Sequence, residues 1–214
     1  MSDELRRRLI DAARAMNDSG LNQGTSGNLS VRWDEGMLIT PSGMDYAGLV
    51  PEGIVYVDAA GESSGSRKPS SEWRFHLDIY RQCTGAEAIV HAHPAWCTTL
   101  ASLHQPIPAF HYMVALAGGN DIRCAEYATF GTQALSENVL AALRDRKACL
   151  MANHGMVCFD RDPERALALA IEVEHLARIY AQALQLGEPV LLSDEEMELM
   201  QDKFRAYGAN AQAR

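Results

Sequence analysis

Two histidines at the end of an apolar run are the residues in this sequence best suited to metal chemistry. Ala88-Ile89-Val90 is typical of a β-strand, and His91 and His93 follow it before Pro94. Because side chains along a strand alternate between its faces, both imidazoles are expected on one side, where they can bind one ion. His154, in an Asn-His-Gly turn, is a candidate third ligand. Three imidazoles that leave one coordination position open are typical of catalytic zinc. The alternative is that these are ordinary core or surface histidines that bind no metal.

Glu72 is the carboxylate that could complete such a site. It follows Ser70 and Ser71 at the start of an amphipathic segment, where a serine is the expected N-cap of a helix. A carboxylate there could occupy the open metal position and act as a base once substrate displaces it. The alternative is that an acidic residue in the first turn only interacts favourably with the helix dipole.

Three segments of glycine and small hydroxyl residues suggest an anion-binding site. They are Gly24-Thr25-Ser26-Gly27-Asn28, Ser42-Gly43 and Ser70-Ser71. Glycine lets backbone N–H groups approach a ligand closely, hydroxyl groups donate hydrogen bonds, and a helix start attracts negative charge. Each segment alone is more often only a turn, but together with a metal site they suit a phosphorylated substrate.

The elements that must position these residues alternate between short strands and helices. Helices are predicted over 3–17, 70–80, 98–103, 132–146, 163–186 and 193–207. Strands are predicted over 29–32, 37–40, 54–57, 148–151 and 156–159, and in the run that ends in His-Ala-His. Several connections are too short for helical crossovers, so we expect an α/β fold with a mainly antiparallel sheet in one domain over residues 1–214. His76 lies one helical turn from Glu72 and could orient it, but a position on the helix surface is the first expectation.

Composition and charge limit the classes of protein to consider. The chain has 214 residues and a net charge of −9 with no basic block, which argues against nucleic acid or an anionic membrane as partner. No apolar segment has membrane-spanning length, and the charged N-terminus is unlike a signal peptide. Five scattered cysteines fit free thiols in a reducing compartment, so a cytoplasmic location is expected.

The motifs occur in the order found in one known family. Gly-Thr-Ser-Gly-Asn-Leu-Ser, Ile-Thr-Pro-Ser-Gly, Pro-Ser-Ser-Glu, Val-His-Ala-His and Asn-His-Gly follow one another along the chain. His-Tyr-Met, Ala-Gly-Gly-Asn, Tyr-Ala-Thr-Phe-Gly-Thr and a final Phe-Arg-Ala-Tyr-Gly extend the match over nearly the whole sequence. With motifs and spacing agreeing together, the chain resembles the class II aldolase/adducin family.

The resemblance implies the members of the site. A zinc ion, with Mn²⁺, Co²⁺ or Fe²⁺ as alternatives, would be held by His91, His93 and His154, with Glu72 as a fourth ligand. The implied phosphate contacts are Gly27, Asn28, Ser42, Gly43, Ser70 and Ser71. The family enzyme is a homotetramer with sites between subunits, where Tyr112, Phe130 and Tyr207 would surround the aldehyde portion. Position 153 is Asn where the family pattern has a further His.

The resemblance also implies a reaction. A metal-dependent aldolase would cleave a ketose 1-phosphate to dihydroxyacetone phosphate and an aldehyde, with the metal stabilising the enediolate left when the C3–C4 bond breaks. Tyr112 would handle the proton at the C4 oxygen, and Glu72 would return a proton to the enediolate. L-fuculose 1-phosphate, which would release L-lactaldehyde, is the first expected substrate.

Other activities share this scaffold. They are aldol cleavage of 5-deoxyribulose or methylthioribulose 1-phosphate, methylthioribulose-phosphate dehydration, and ketose-phosphate 4-epimerisation. The epimerases carry Asp where this chain has Glu72, which counts against epimerisation, and the Tyr112 and Phe130 context favours aldol cleavage over dehydration. A non-catalytic, adducin-like interaction protein would be expected to lose the metal histidines, and all three are present.

Overall fold

An eight-stranded sheet forms the centre of the fold in residues 2–210, which are the residues that a computed structural model describes, with side chains described through residue 206. The strands are β1 (Asn28–Trp33), β2 (Gly36–Ile39), β3 (Val55–Val57), β4 (Ser63–Ser64), β5 (Ala88–Ala92), β6 (Cys124–Ala125), β7 (Ala148–Met151) and β8 (Gly155–Asp160). Their order is β4-β3-β2-β1-β5-β8-β7-β6, and only the β6–β7 pair is parallel. The predicted mainly antiparallel α/β fold is confirmed.

Helices cover both faces of the sheet. The helices are α1 (Ser2–Asp18), α2 (Trp73–Gln82), α3 (Ala95–Ser102), α4 (Gln133–Ala142), α5 (Pro163–Leu186) and α6 (Asp194–Asn210). The strand alternation separates two cores: Ala88, Val90 and Ala92 pack with α1, α3 and α5, whereas Ile89 packs with α2 and α4. None of the described helices is long and apolar enough to cross a membrane.

The start of α2 differs from its prediction in a way that matters for the site. The helix begins at Trp73, so Glu72 is its N-cap residue rather than part of the first turn. Ser70 lies two residues earlier, and its Oγ accepts a hydrogen bond from the Glu72 N–H at 3.3 Å. The serine therefore helps to form the turn before the helix and leaves the Glu72 carboxylate free to face the sheet.

Other elements also differ from their predictions. Helix α3 begins at Ala95, three residues before the predicted start, because Glu174 of α5 accepts hydrogen bonds from its first N–H groups. Helix α4 ends at Ala142, before the predicted end at residue 146. The two-residue strands β4 and β6 and a 3₁₀ helix over Tyr112–Ala117 were not predicted, since such short elements carry no periodicity.

Candidate metal and active site

Four side chains from three parts of the fold converge at one end of the sheet. His91 is on β5 and His93 follows it, His154 lies in the turn between β7 and β8, and Glu72 precedes α2. One ligand atom from each lies within 4.8 Å of all the others. His91 Nε2 is 2.9 Å from His93 Nε2 and 3.1 Å from Glu72 Oε2, and His154 Nε2 is 3.3 Å from Glu72 Oε1. The structure therefore brings together all four predicted ligands.

The hydrogen bonds around this cluster fit a cation at its centre. Nδ1 of His91 donates to the backbone carbonyl oxygen of Met156 at 2.8 Å, which directs the other nitrogen, Nε2, to the cluster. Glu72 Oε1 is buried and has no hydrogen-bond partner among the described residues. A buried carboxylate oxygen without a partner is costly, and a metal ion bound between it and the imidazoles would satisfy it. Three nitrogen donors and one oxygen donor suit zinc or a similar divalent ion.

The protonation of the cluster also suits metal binding. Burial and the neighbouring charge of His91 lower the pKa values of His93 and His154 to about 4, so both rings are neutral near pH 7. Burial would raise the pKa of Glu72, but attraction to His91, the hydrogen bond with it and attraction to His154 lower it, which keeps the carboxylate ionised. Burial would lower the pKa of His91, but its interactions with Glu72 raise it. Positive charge is therefore favoured at the centre of the cluster.

A cavity of about 330 Å³ opens beside the cluster and gathers the predicted phosphate residues. Its lining includes Gly27, Asn28, Ser42, Gly43, Ser70 and Ser71, together with Glu72, His93 and His154. Thr40 joins the three segments, since its N–H donates to Leu29 O at 3.0 Å and its carbonyl oxygen accepts from the Ser70 N–H at 3.1 Å. The phosphate role of these residues stays a prediction, but their meeting beside the metal ligands agrees with it.

The loop that contains Gly27 is fixed by close packing. Gly27 has a φ of +74°, and a Cβ atom there would lie 2.7 Å from the backbone oxygen of His91. The hydroxyl of Tyr46 donates to the Gly27 carbonyl oxygen at 2.8 Å. Sequence reasoning missed Tyr46 because no local pattern connects it with a loop nineteen residues away. Glycine is required here both for its backbone conformation and for the approach of β5.

Of the residues predicted around the aldehyde, the structure places Phe130 at the cavity and Tyr112 away from it. Phe130 lines the cavity with 63% of its surface exposed. Tyr112 is not among the described residues that line this cavity; its ring packs 6.3 Å from that of Phe204 on α6. The side chain of Tyr207 lies outside the described part of the chain. The roles of Tyr112 and Tyr207 therefore stay predictions.

Asn153, the departure from the family pattern, has a clear local role. Its φ is +52°, a left-handed conformation that asparagine tolerates better than most residues. Its Oδ1 accepts a hydrogen bond from Nε2 of His104 at 2.6 Å, and its N–H donates to Ala101 O at 3.1 Å. These contacts hold the turn that contains His154 against the end of α3.

His76 was predicted on a helix surface, and that prediction is wrong. The side chain is fully buried and faces β1, where Asn28 and Ser30 contact it. A signal was present in the sequence: Glu72, His76 and Tyr80 are spaced by four residues, which places them along one side of the α2 segment. A polar stripe on a helix that must cover a sheet indicates buried polar partners rather than exposure.

Comparisons with known proteins agree with this geometry. A family model described as the class II aldolase and adducin N-terminal domain matches residues 7–181. A 5-methylthioribulose-1-phosphate/5-deoxyribulose-1-phosphate aldolase from Rhodospirillum rubrum is 56% identical over 208 residues, which cover 97% of this chain and 94% of the relative. An L-fuculose phosphate aldolase from Escherichia coli K12 is 49% identical, with 96% of each chain covered. A solved structure of an L-fuculose 1-phosphate aldolase has a TM-score of 0.92 and 44% identity, covering 96% of this chain and 98% of that one.

Proposed function

The chain belongs to the class II aldolase and adducin family, and we propose that it is a metal-dependent aldolase that cleaves a ketose 1-phosphate to dihydroxyacetone phosphate and an aldehyde. One observation carries this proposal beyond family membership. The Glu72, His91, His93 and His154 cluster opens directly onto the cavity that gathers the glycine and serine segments. A metal site and an anion site that share a wall suit a substrate with a phosphate close to its reacting carbonyl group.

Different residues of the site have different roles in the proposed reaction. Backbone N–H groups and hydroxyls around Gly27, Ser42 and Ser71 bind the phosphate, assisted by the positive end of the α2 dipole. A divalent ion, which we propose to be zinc, supplies positive charge against the charge that develops on substrate oxygens as the carbon–carbon bond breaks. Glu72 holds the proton that is returned to the enediolate of dihydroxyacetone phosphate. Phe130, which lines the cavity with most of its surface exposed, contacts the aldehyde portion of the substrate.

The aldehyde portion of the substrate is the part that relatives treat differently. The relative with 56% identity is a 5-methylthioribulose/5-deoxyribulose 1-phosphate aldolase, and the L-fuculose phosphate aldolases reach 49%. We therefore propose the 5-methylthio- and 5-deoxyribulose 1-phosphates as the first substrates to test. L-fuculose 1-phosphate, the first expectation from the sequence, is the second candidate, and the structural similarity to an L-fuculose 1-phosphate aldolase favours keeping it.

We propose that the working enzyme is a homotetramer in which neighbouring copies complete the aldehyde site. The support is that Tyr112 has 46% of its surface exposed and Phe130 has 63%, while Tyr112 does not reach the cavity of its own chain in the described structure. Large exposed aromatic side chains are common at protein–protein contacts. Tyr112 of one copy, near the cavity of another, could then act on the proton at the C4 oxygen.

A panel of ketose 1-phosphates tests the activity. The purified protein is incubated with each sugar phosphate, and dihydroxyacetone phosphate is measured with a coupled reductase. We expect release from at least one candidate, loss of release after chelation, recovery with zinc, and loss in His93→Ala. Absence of bound divalent metal, or unchanged cleavage by His93→Ala, would contradict the proposal. A product that retains all the substrate carbons would instead indicate the dehydratase or epimerase alternative.

A further inference from the structure

Behind Glu72, four buried side chains form one continuous hydrogen-bonded chain, called here the Asn28–Tyr80 chain. Nδ2 of Asn28 donates to Glu72 Oε2 at 3.0 Å, and Asn28 Oδ1 lies 2.5 Å from His76 Nε2. Ser30 Oγ lies 2.7 Å from His76 Nδ1 and 2.8 Å from the Tyr80 hydroxyl. None of the four is more than 5% exposed. The chain joins β1 to α2 and ends at the candidate catalytic carboxylate.

The hydrogens in this chain can be arranged in only one way. An amide oxygen only accepts, so Nε2 of His76 carries the hydrogen that Asn28 Oδ1 accepts. Burial lowers the pKa of His76 to about 3, so the ring is neutral and its Nδ1 accepts from Ser30. The single hydroxyl hydrogen of Ser30 is then used, and Tyr80 donates to Ser30. If the Asn28 amide were reversed, the His76 ring could take its other tautomer, but the amide oxygen would then face the carboxylate of Glu72 with no hydrogen between them.

This chain can orient Glu72 but cannot carry a proton to it. The Asn28 amide in the middle has no proton to exchange between its two ends, and the far end at Tyr80 is buried. The Asn28–Tyr80 chain instead makes the surroundings of the two carboxylate oxygens of Glu72 different. Oε2 is held by Asn28, whereas Oε1 accepts no hydrogen bond from the described residues and lies 3.3 Å from Nε2 of His154, where it is free to act once substrate takes its place at the metal.

We propose that His76, backed by Ser30 and Tyr80, is a positioning residue that fixes the Asn28 amide and thereby leaves Glu72 Oε1 as the oxygen that transfers the proton. His76, Ser30 and Tyr80 are absent from the described lining of the cavity, so they act through Asn28 and not on the substrate. The inference rests on the proposed function, in which Glu72 moves a proton at carbon 3 of dihydroxyacetone phosphate.

The exchange of the hydrogen on carbon 3 of dihydroxyacetone phosphate for deuterium from D₂O, followed by NMR with the zinc-loaded protein, tests this step directly. In His76→Gln the amide nitrogen can occupy the place of Nε2 and still donate to Asn28, whereas in His76→Asn it reaches only about as far as Nδ1. We expect His76→Asn to lower the exchange rate and kcat roughly 10–100-fold with KM and bound zinc unchanged, as is typical when support for a site residue is lost. His76→Gln should recover most of the rate.

Two serine variants separate positioning from stability. Ser30→Ala interrupts the Asn28–Tyr80 chain. Ser136→Ala is the control, because it removes an equally buried hydroxyl that donates to Asp78 of α2 at 2.7 Å. Both should lower the melting temperature, but only Ser30→Ala should slow exchange. The proposal is overturned if His76→Asn exchanges like wild type, if His76→Gln is no better than His76→Asn, or if Ser136→Ala slows exchange as much as Ser30→Ala. Wild-type protein that neither exchanges nor cleaves would instead overturn the proposed function.

Discussion

Gly155, which follows the candidate ligand His154, has almost no free space around it. A Cβ atom there would lie 2.4 Å from the backbone oxygen of Ala92 and 2.7 Å from Cδ2 of His93. Because no side chain fits, the β7–β8 turn can pack directly against the end of β5. The separation of His93 and His154 therefore depends on a residue that contributes no ligand atom.

We expect Gly155→Ala to push the two ligand segments apart. The overpacking should lower the free energy of unfolding by about 1–3 kcal/mol and reduce the zinc content of the purified protein. Gly48→Ala is the matched control, because a Cβ atom at Gly48 would meet nothing within 4 Å. Chemical denaturation and elemental analysis measure both effects, and equal zinc content in Gly155→Ala and wild type would contradict this account.

The burial of His76 predicts that stability depends on pH. Its pKa is about 3 in the folded chain, against about 6.5 for an unfolded histidine. Between these values the unfolded chain binds a proton that the folded chain does not, so the free energy of unfolding falls as pH falls from about 6.5 towards 3. This residue contributes a slope of about 1.4 kcal/mol per pH unit.

Replacing His76 with Gln should remove that slope. The free energy of unfolding, measured by urea denaturation with chelator present, should vary less steeply between about pH 4 and pH 6 in His76→Gln than in wild type. The comparison between the two proteins cancels the contributions of the other histidines. Parallel curves would mean that His76 has the same pKa in the folded and the unfolded protein, which would contradict this account.

At the level of elements, α3 depends on a cap that comes from another helix. Pro94 precedes α3 and supplies no side-chain hydrogen bond. Instead, Glu174 on α5 accepts from the N–H of Trp96 at 2.9 Å and from the N–H of Cys97 at 2.8 Å. A carboxylate at a helix N-terminus satisfies free N–H groups and interacts favourably with the helix dipole. Helix α5 therefore fixes the segment that directly follows His93.

Glu174→Ala should destabilise the protein by about 1–2 kcal/mol, because two N–H groups at the start of α3 lose their partner. Glu174→Gln, which keeps an acceptor but loses the charge, should lie between the alanine variant and wild type. Glu172→Ala, a change of the same kind two residues away on α5, is the control. Denaturant midpoints measure the effect, and a Glu174→Ala midpoint equal to that of the control would contradict the capping role.

At the scale of the whole molecule, the metal should stabilise the fold, because its candidate ligands come from widely separated parts of the chain. An ion that binds only the folded state adds stability by mass action, about 2.7 kcal/mol when its free concentration is 100 times the dissociation constant. We expect chelation to lower the melting temperature of wild type and added zinc to restore it. His93→Ala should show no comparable response, and a wild-type melting temperature insensitive to both treatments would contradict a metal-linked fold.

Short-range patterns in the sequence were sufficient for much of the fold and for part of the site. Several features depend only on residues that are neighbours in the sequence. They are the alternation of His91 and His93 along a strand, the periodicity of α1 and α5, and the Asn153–Gly155 turn. The mainly antiparallel α/β fold followed from the short connections between elements. The motif order was enough to identify the family, which the comparisons confirmed.

The tertiary structure decided the features that join distant residues. The contact of Asn28 with Glu72 spans 44 positions, and the Ser30–Tyr80 contact spans 50. Such contacts depend on how β1 pairs with β5 and on which side of α2 faces the sheet, and no local pattern specifies both. The sequence alone determined which side chains could perform the chemistry, while the packing of α2 against β1 decided that His76 is buried behind Glu72.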